Sequence, residues 1–410
     1  MYRRLTAIAL TVVAAGCAAP GQSSETPYGA ATLQMLARPQ AAAHGYKVLF
    51  SFSQNEHALF GEDPQASLIA VNGILYGTTK YGGANQDGTV FGIRTSGKQT
   101  VLHSFHSSDG GAPKAPLLEI NGTLYGATSN GGSFGGGTVF SLGANGSNFR
   151  ILYNFGHGKD GLQPSSALIV KNGKLYGTTL IGGKYNDGTV FSVDLTSGKG
   201  RSIYSFAGYS DGMYPTGGLR AVGGSFYGTT SQGGASGLGT IFQLTTGGHK
   251  AILYNFGGTD GSHPNASLTL LRGTLYGTTE QGGAFGGGTV FSIAPNGSNE
   301  RVVHSFGIAP DGLAPESEVL AIKGRLYGTT SHGGSMNFGT IFEMSTSGKE
   351  SILHNFMQGD RSDGESPFGG LIDLNGALYG TTQEGGSADP TCTDSGYDCD
   401  YGTVYAVPSQ

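Results

Sequence analysis

Short apolar runs alternate with polar, glycine-rich stretches along almost the whole chain. No window carries a helical period, and the runs are bounded by turn residues, so they read as strands. One stretch shows the pattern in full. An apolar run at 167–171 is followed by Asn172-Gly173 and a second run at 174–179. Asn-Gly between apolar runs predicts a tight hairpin, because a type I′ turn needs positive φ at both central positions. The same dipeptide stands at Asn72-Gly73, Asn121-Gly122 and Asn375-Gly376. After a Gly-Gly loop, 188–193 predicts a third strand. A turn at Ser197-Gly198 then leads to a fourth at 201–206.

This four-strand unit repeats. Leu75-Tyr76-Gly77-Thr78-Thr79 returns as LYGAT from Leu124, LYGTT from Leu175, FYGTT from Phe226, and LYGTT from Leu275, Leu326 and Leu378. Successive starts are 49, 51, 51, 49, 51 and 52 residues apart. Each copy is followed by Gly-Thr-(Val/Ile)-(Phe/Tyr), beginning at Gly88, Gly137, Gly188, Gly239, Gly288, Gly339 and Gly402. Four antiparallel strands in a unit of this length predict an all-β fold, a seven-bladed β-propeller. A β-solenoid is the alternative, but its coils are usually shorter, and Asn-Gly hairpins turn the chain back where a coil would continue. The phase adds a detail. The first strand, 47–52, matches a fourth strand, and the last, 402–407, matches a third. The N-terminal strand should therefore complete the last blade and remove an exposed sheet edge.

Composition agrees. Gly is 75 of 410 residues and charged residues are 12%, yet 37% are hydrophobic, with 21 Phe and 20 Tyr. Disordered chains are poor in aromatics, so the glycine belongs to turns of a folded protein. The net charge of -5 is thinly spread and argues against nucleic acid as a partner, which needs clustered cations.

The first residues stand apart. Arg3 and Arg4 precede an apolar stretch at 5–15 that is too short to span a bilayer. Residues 1–16 read as a secretory signal peptide. The segment ends Ala14-Ala15-Gly16-Cys17, which resembles the lipobox of bacterial lipoproteins, with Ala14 where Leu is commoner. That resemblance implies lipidation of Cys17, after which 17–45, rich in Ala, Pro, Gln and Ser, is a flexible tether and 46–408 is the propeller. With Cys17 lipidated, Cys392 and Cys399 remain as a candidate disulfide in an oxidising compartment.

Candidate chemistry is sparse. The loop leading from each fourth strand carries Asp-Gly-x-x-Pro: Asp109, Asp160, Asp211, Asp260, Asp311 and Asp363. In an up-and-down blade this loop shares a face with the Gly-Gly loop. An Asp before Gly commonly caps its own turn, so recurrence points to a structural role, against cation binding as the alternative. The fourth-strand ring slot holds Phe50, Tyr153, Tyr204 and Tyr254, but His103, His304 and His354 in three units. Equivalence to Tyr and Phe makes these His packing rings with a polar tip. Three loops break the repeat: 54–63, 357–365 and 385–400. They bring Asp63, Asp360, Asp363, Asp394, Asp398 and Asp400 to one face beside the closure. That is a candidate acidic patch for a cation such as Ca²⁺ or a basic partner. No cofactor is expected, and no metal set or catalytic motif appears: there is no nucleophile elbow, no His-Glu-x-x-His and no phosphate loop.

LYGTT, Gly-Gly, GTVF, a fourth strand ending in Phe, and Asp-Gly-x-x-Pro together resemble the GloVer tandem repeat of bacterial exported "choice-of-anchor" proteins. The similarity spans about 47–407. Ala127, Phe226, Gly223-Gly224 and the missing Asp-Gly of the first unit depart from it. The resemblance implies an exported repeat protein whose anchor would be Cys17. It implies no activity. The expectation is a monomeric, non-enzymatic binding module of the envelope, facing periplasm or cell surface, with a protein or glycan ligand. The alternative is an exported propeller hydrolase or lyase acting on a polysaccharide or peptide, whose site would break the repeat with unique acids or His.

Overall fold

The computed structural model describes residues 45–52, 60–357, 363–386 and 401–409. Seven antiparallel sheets, each built on four strands and the third with a short fifth, follow one another along the chain and form a ring, a seven-bladed propeller with no α-helix among the described residues. Blade one is Ile69–Val71, Ile74–Thr79, Thr89–Arg94 and Gln99–Ser104. Blade seven takes Ile372–Leu374, Ala377–Thr382 and Thr403–Pro408 from the C-terminal end and Lys47–Ser51 from the N-terminal end. Lys47 pairs with Ala406 and Ser51 with Thr403, so the ring closes by strand exchange between the ends. The Asn-Gly hairpins form as expected, with φ of 51° at Asn72 and 77° at Gly73. Gly223, Arg272 and Lys323 take the same left-handed position in the three units that lack Asn.

Each residue of LYGTT has its own task. The Leu and the GTVF Phe are buried, and each hydrophobic cluster joins two successive blades. Phe52 of blade seven, for example, meets Phe91 of blade one at 5.5 Å between ring centres. Tyr76 leans the other way and packs with Phe105, Leu117 and Phe140 at the seam between blades one and two. Gly77 is glycine because a Cβ there would lie 2.6 Å from Cζ of Phe91. The first Thr donates across the seam, as Thr178 Oγ1 does to the Gly217 carbonyl at 3.3 Å. The second ties its own blade: Thr179 and Thr189 hydroxyls lie 2.8 Å apart, both fully buried. Buried hydroxyls are tolerable because each finds a partner.

The Asp-bearing loop and the Gly-Gly loop share one face and bond to one another, as in Gly312↔Gly333 and Gly364↔Gly385. The residue before each loop Pro has positive φ: Asp63, Ala112, Gln163, Tyr214, His263, Ala314 and Ser366. Its amide donates to the preceding blade, as Tyr214 does to the Asp187 carbonyl at 3.0 Å. An unfavourable backbone region is held by a bond that locks neighbouring blades.

Candidate functional site

The recurring Asp faces inward to the seam. In Asp160 one carboxylate oxygen accepts the Gly156 amide at 3.2 Å and the other accepts the Tyr153 hydroxyl at 2.9 Å. Asp260 does the same with Gly257 and Tyr254, and Asp211 with Ala207 and Tyr204. Burial, then the Asp160 contact, pushes the Tyr153 phenol up to about 12. The three histidines are variants of this latch. His103, His304 and His354 each place Nε2 at 3.1 Å from a carboxylate oxygen of Asp109, Asp311 and Asp363. A ring nitrogen substitutes for a phenol at the same reach, which is why Tyr and His exchange in this slot.

A third group enters each latch from the next blade, at the start of its fourth strand. Phe149 stacks on His103 at 3.7 Å and Tyr46 on His354 at 3.7 Å. Lys250 pairs with Asp211 at 2.8 Å. Gly200 leaves room for Tyr153, whose ring would lie 2.3 Å from a Cβ. Glu300 sits against Tyr254 and Asp260, and Glu350 lies 3.4 Å from His304. Burial pulls the His103 imidazole down, against Asp109.

Of the irregular-loop residues, Cys392, Cys399, Asp360, Asp394, Asp398 and Asp400 lie outside the described residues, as does Cys17. Asp63 is paired with Lys80 at 3.1 Å and Gln65 at 3.2 Å, and burial raises its carboxyl. Its amide donates to the Tyr401 carbonyl at 3.1 Å, the same bond that the residue before each loop Pro makes to the preceding blade. Asp363 is 7% exposed and turned onto His354 and the Gly364 amide.

Sequence reasoning missed the central channel. The segment after each loop Pro lines it, and every blade contributes one residue at its fourth position: Ser67, Pro116, Ala167, Gly218, Ser267, Glu318 and Gly370. The cavity is about 100 Å³, enough for a few waters or a small charged group. Blade six alone supplies carboxylates, Glu316 and Glu318, which sit two apart and line the same wall. Glu318 bonds Ser267 and feels Arg220, and burial raises its carboxyl. Glu316 Oε1 accepts the Ser331 hydroxyl at 2.9 Å, and burial pushes its carboxyl up to about 7. Glu280, next to Asn265 at 2.7 Å, adds a third acid. Lys80 and Lys114 lie near one another in blades one and two. Aligning the seven Pro-x-x-x-(Leu/Val) segments would have exposed Pro315-Glu316-Ser317-Glu318-Val319 as the unit that differs.

Blade six also places Ser331 Oγ at 2.9 Å from Nδ1 of exposed His332. This is not a nucleophile–base pair a substrate can use. Ser331 is 1% exposed, and the Ala314 carbonyl and Glu316 compete for its proton.

No curated protein matches the chain. Among solved structures, the extracellular domain of a one component system from B. thetaiotaomicron is similar at TM-score 0.55 and 9% identity, over 85% of this chain and 40% of that one. The chain thus spans two fifths of that protein's structure. The nidogen/laminin complex matches at TM-score 0.43 and 12% identity, over 69% of this chain and 93% of that one. The likeness to the extracellular domain is one of fold. The repeat itself is matched by a family model twice, over 23–225 and 203–393, which together take in most of the propeller. On that match the chain belongs to the Gloeobacter/Verrucomicrobia repeat family.

Proposed function

We propose that this protein is an exported, lipid-anchored binding module of the cell envelope, without catalytic activity, that takes a glycan bearing an amino group at the mouth of its channel. The observation that carries the reading is the carboxylate pair of blade six. Sevenfold repetition serves the fold, whereas the acids at Glu316 and Glu318 recur in no other unit's channel segment. Glu316 and Glu318 with Glu280 nearby make one side of the mouth attractive to a cation. The cavity admits an amine or a single ring substituent, while the rest of a sugar would rest on the loop face. Export is supported by the repeat family, and the short apolar segment before Ala14-Ala15-Gly16-Cys17 is what favours anchoring through Cys17. A glycan array probed with the purified chain tests the reading. Retention of amine-bearing glycans, lost in Glu316→Gln/Glu318→Gln, is expected. Release of shortened glycan would favour the enzyme instead.

A further inference from the structure

The seam between blades five and six carries a different chemistry from the channel. His304 stands on the fourth strand of blade five, Arg301–Ser305. Asp311 follows in the connecting loop. Glu350 opens the fourth strand of blade six, Glu350–Asn355. Nε2 of His304 lies 3.1 Å from Asp311 Oδ2 and 3.4 Å from Glu350 Oε2. One donor atom from each of the three lies within 4.8 Å of the others. Metal–ligand bonds of about 2.0–2.2 Å in a tetrahedron set donors about 3.3 Å apart, so the spacing matches.

Three further observations distinguish this seam. First, the group that enters the latch from the next blade is Tyr46, Gln99, Phe149, Gly200, Lys250 or Glu300 elsewhere, and only here does it set a second carboxylate against a histidine. Second, the two carboxylates stand with donor atoms within 4.8 Å of one another, an arrangement of like charges that a proton or a cation between them would relieve. Glu350 Oε1 is buried and has no hydrogen-bond partner. Third, the Gly348 backbone and the two carboxylates favour the charged imidazole against its burial, so the site already attracts positive charge.

We propose that His304, Asp311 and Glu350 bind a divalent transition metal of the zinc class, bridging blades five and six. One imidazole with two carboxylate oxygens suits such an ion and not Ca²⁺, which takes six or more oxygens. Three protein ligands leave a fourth position for water. The ion would staple two blades at a seam whose counterparts are filled by Tyr46, Gln99, Phe149, Gly200, Lys250 or Glu300.

The test is calorimetric titration of the full chain, stripped with chelator, using ZnCl₂ and separately CaCl₂. Thermal melts run alongside. Zinc should bind and raise the melting temperature, and calcium should do neither at this seam. Glu350→Phe copies the His103–Phe149 seam and should fold. With His304→Gln it should lose one equivalent of zinc, or weaken it more than tenfold. Glu300→Gln and His103→Gln should keep the full stoichiometry. Absence of zinc binding to the parent chain would overturn the proposal. So would an unchanged stoichiometry and affinity in both Glu350→Phe and His304→Gln.

Discussion

Thr381 Oγ1 on the last blade donates to the carbonyl of Ala66 on the first, 3.2 Å away and 315 residues distant in sequence. The bond repeats those that join neighbouring blades, such as Thr278 to Ser317 at 2.9 Å and Thr329 to Gly369 at 3.1 Å. Closure is thus made of the same contact as every other seam, supplemented by the exchanged N-terminal strand. Removing residues 46–52 should leave Thr403–Pro408 as an exposed edge and lower the melting temperature sharply. Hydrogen exchange should show lost protection at 403–408. A shortened chain that melts like the parent would mean the strand adds nothing to closure.

Blade two lacks the seam bond, because Ala127 stands where the other units have Thr. Ala127→Thr places a hydroxyl facing the channel segment of blade three. The substitution should stabilise by about 1 kcal/mol, the usual net value of an added hydrogen bond. Thr178→Ala, at the equivalent site one blade on, should cost a similar amount, since it leaves the buried Gly217 carbonyl without this donor. Chemical denaturation midpoints check both.

Gly200 should tolerate no side chain, because a Cβ would enter the Tyr153 ring at 2.3 Å. Gly200→Ala is expected to destabilise by roughly 1–3 kcal/mol through overpacking. Combining it with Tyr153→Ser should recover part of the loss, and a denaturation series on the four proteins measures that coupling.

Glu316 gives a pH dependence with a definite sign. Burial raises its carboxyl from 4.5 to about 7, so the folded chain holds a proton that the unfolded chain releases. Its contribution to stability is complete below pH 4.5 and disappears as pH rises through about 7. Glu316→Gln removes the cost of the buried charge. The variant should gain roughly 1–3 kcal/mol over the parent at pH 8 and little at pH 4. Melting temperatures of the pair across that range check it.

Much of the fold was legible because its determinants are local and repeated. Asn172-Gly173 announces a hairpin, and Lys47–Ser51 has the phase of a fourth strand. The Thr pairs were not legible. Nothing in Thr178-Thr179 says that one hydroxyl crosses a seam and the other stays home. The seam partners were hidden for a related reason: Gly200, Lys250 and Glu350 share a position but no chemistry. Glu316 and Glu318 were passed over because the eye follows what recurs, and their significance lies in what does not. The His304–Asp311–Glu350 cluster needed coordinates, since Glu350 arrives from another blade.

If the carboxylates of blade six make the channel mouth a cation-binding surface for a glycan, an array probed with the mature chain and with Glu316→Gln/Glu318→Gln will show it. Amine-bearing glycans should be retained by the parent at neutral pH, lost at least tenfold in the double variant, and recovered unshortened. Equal binding by both proteins, or shortened glycans released by the parent, would contradict it.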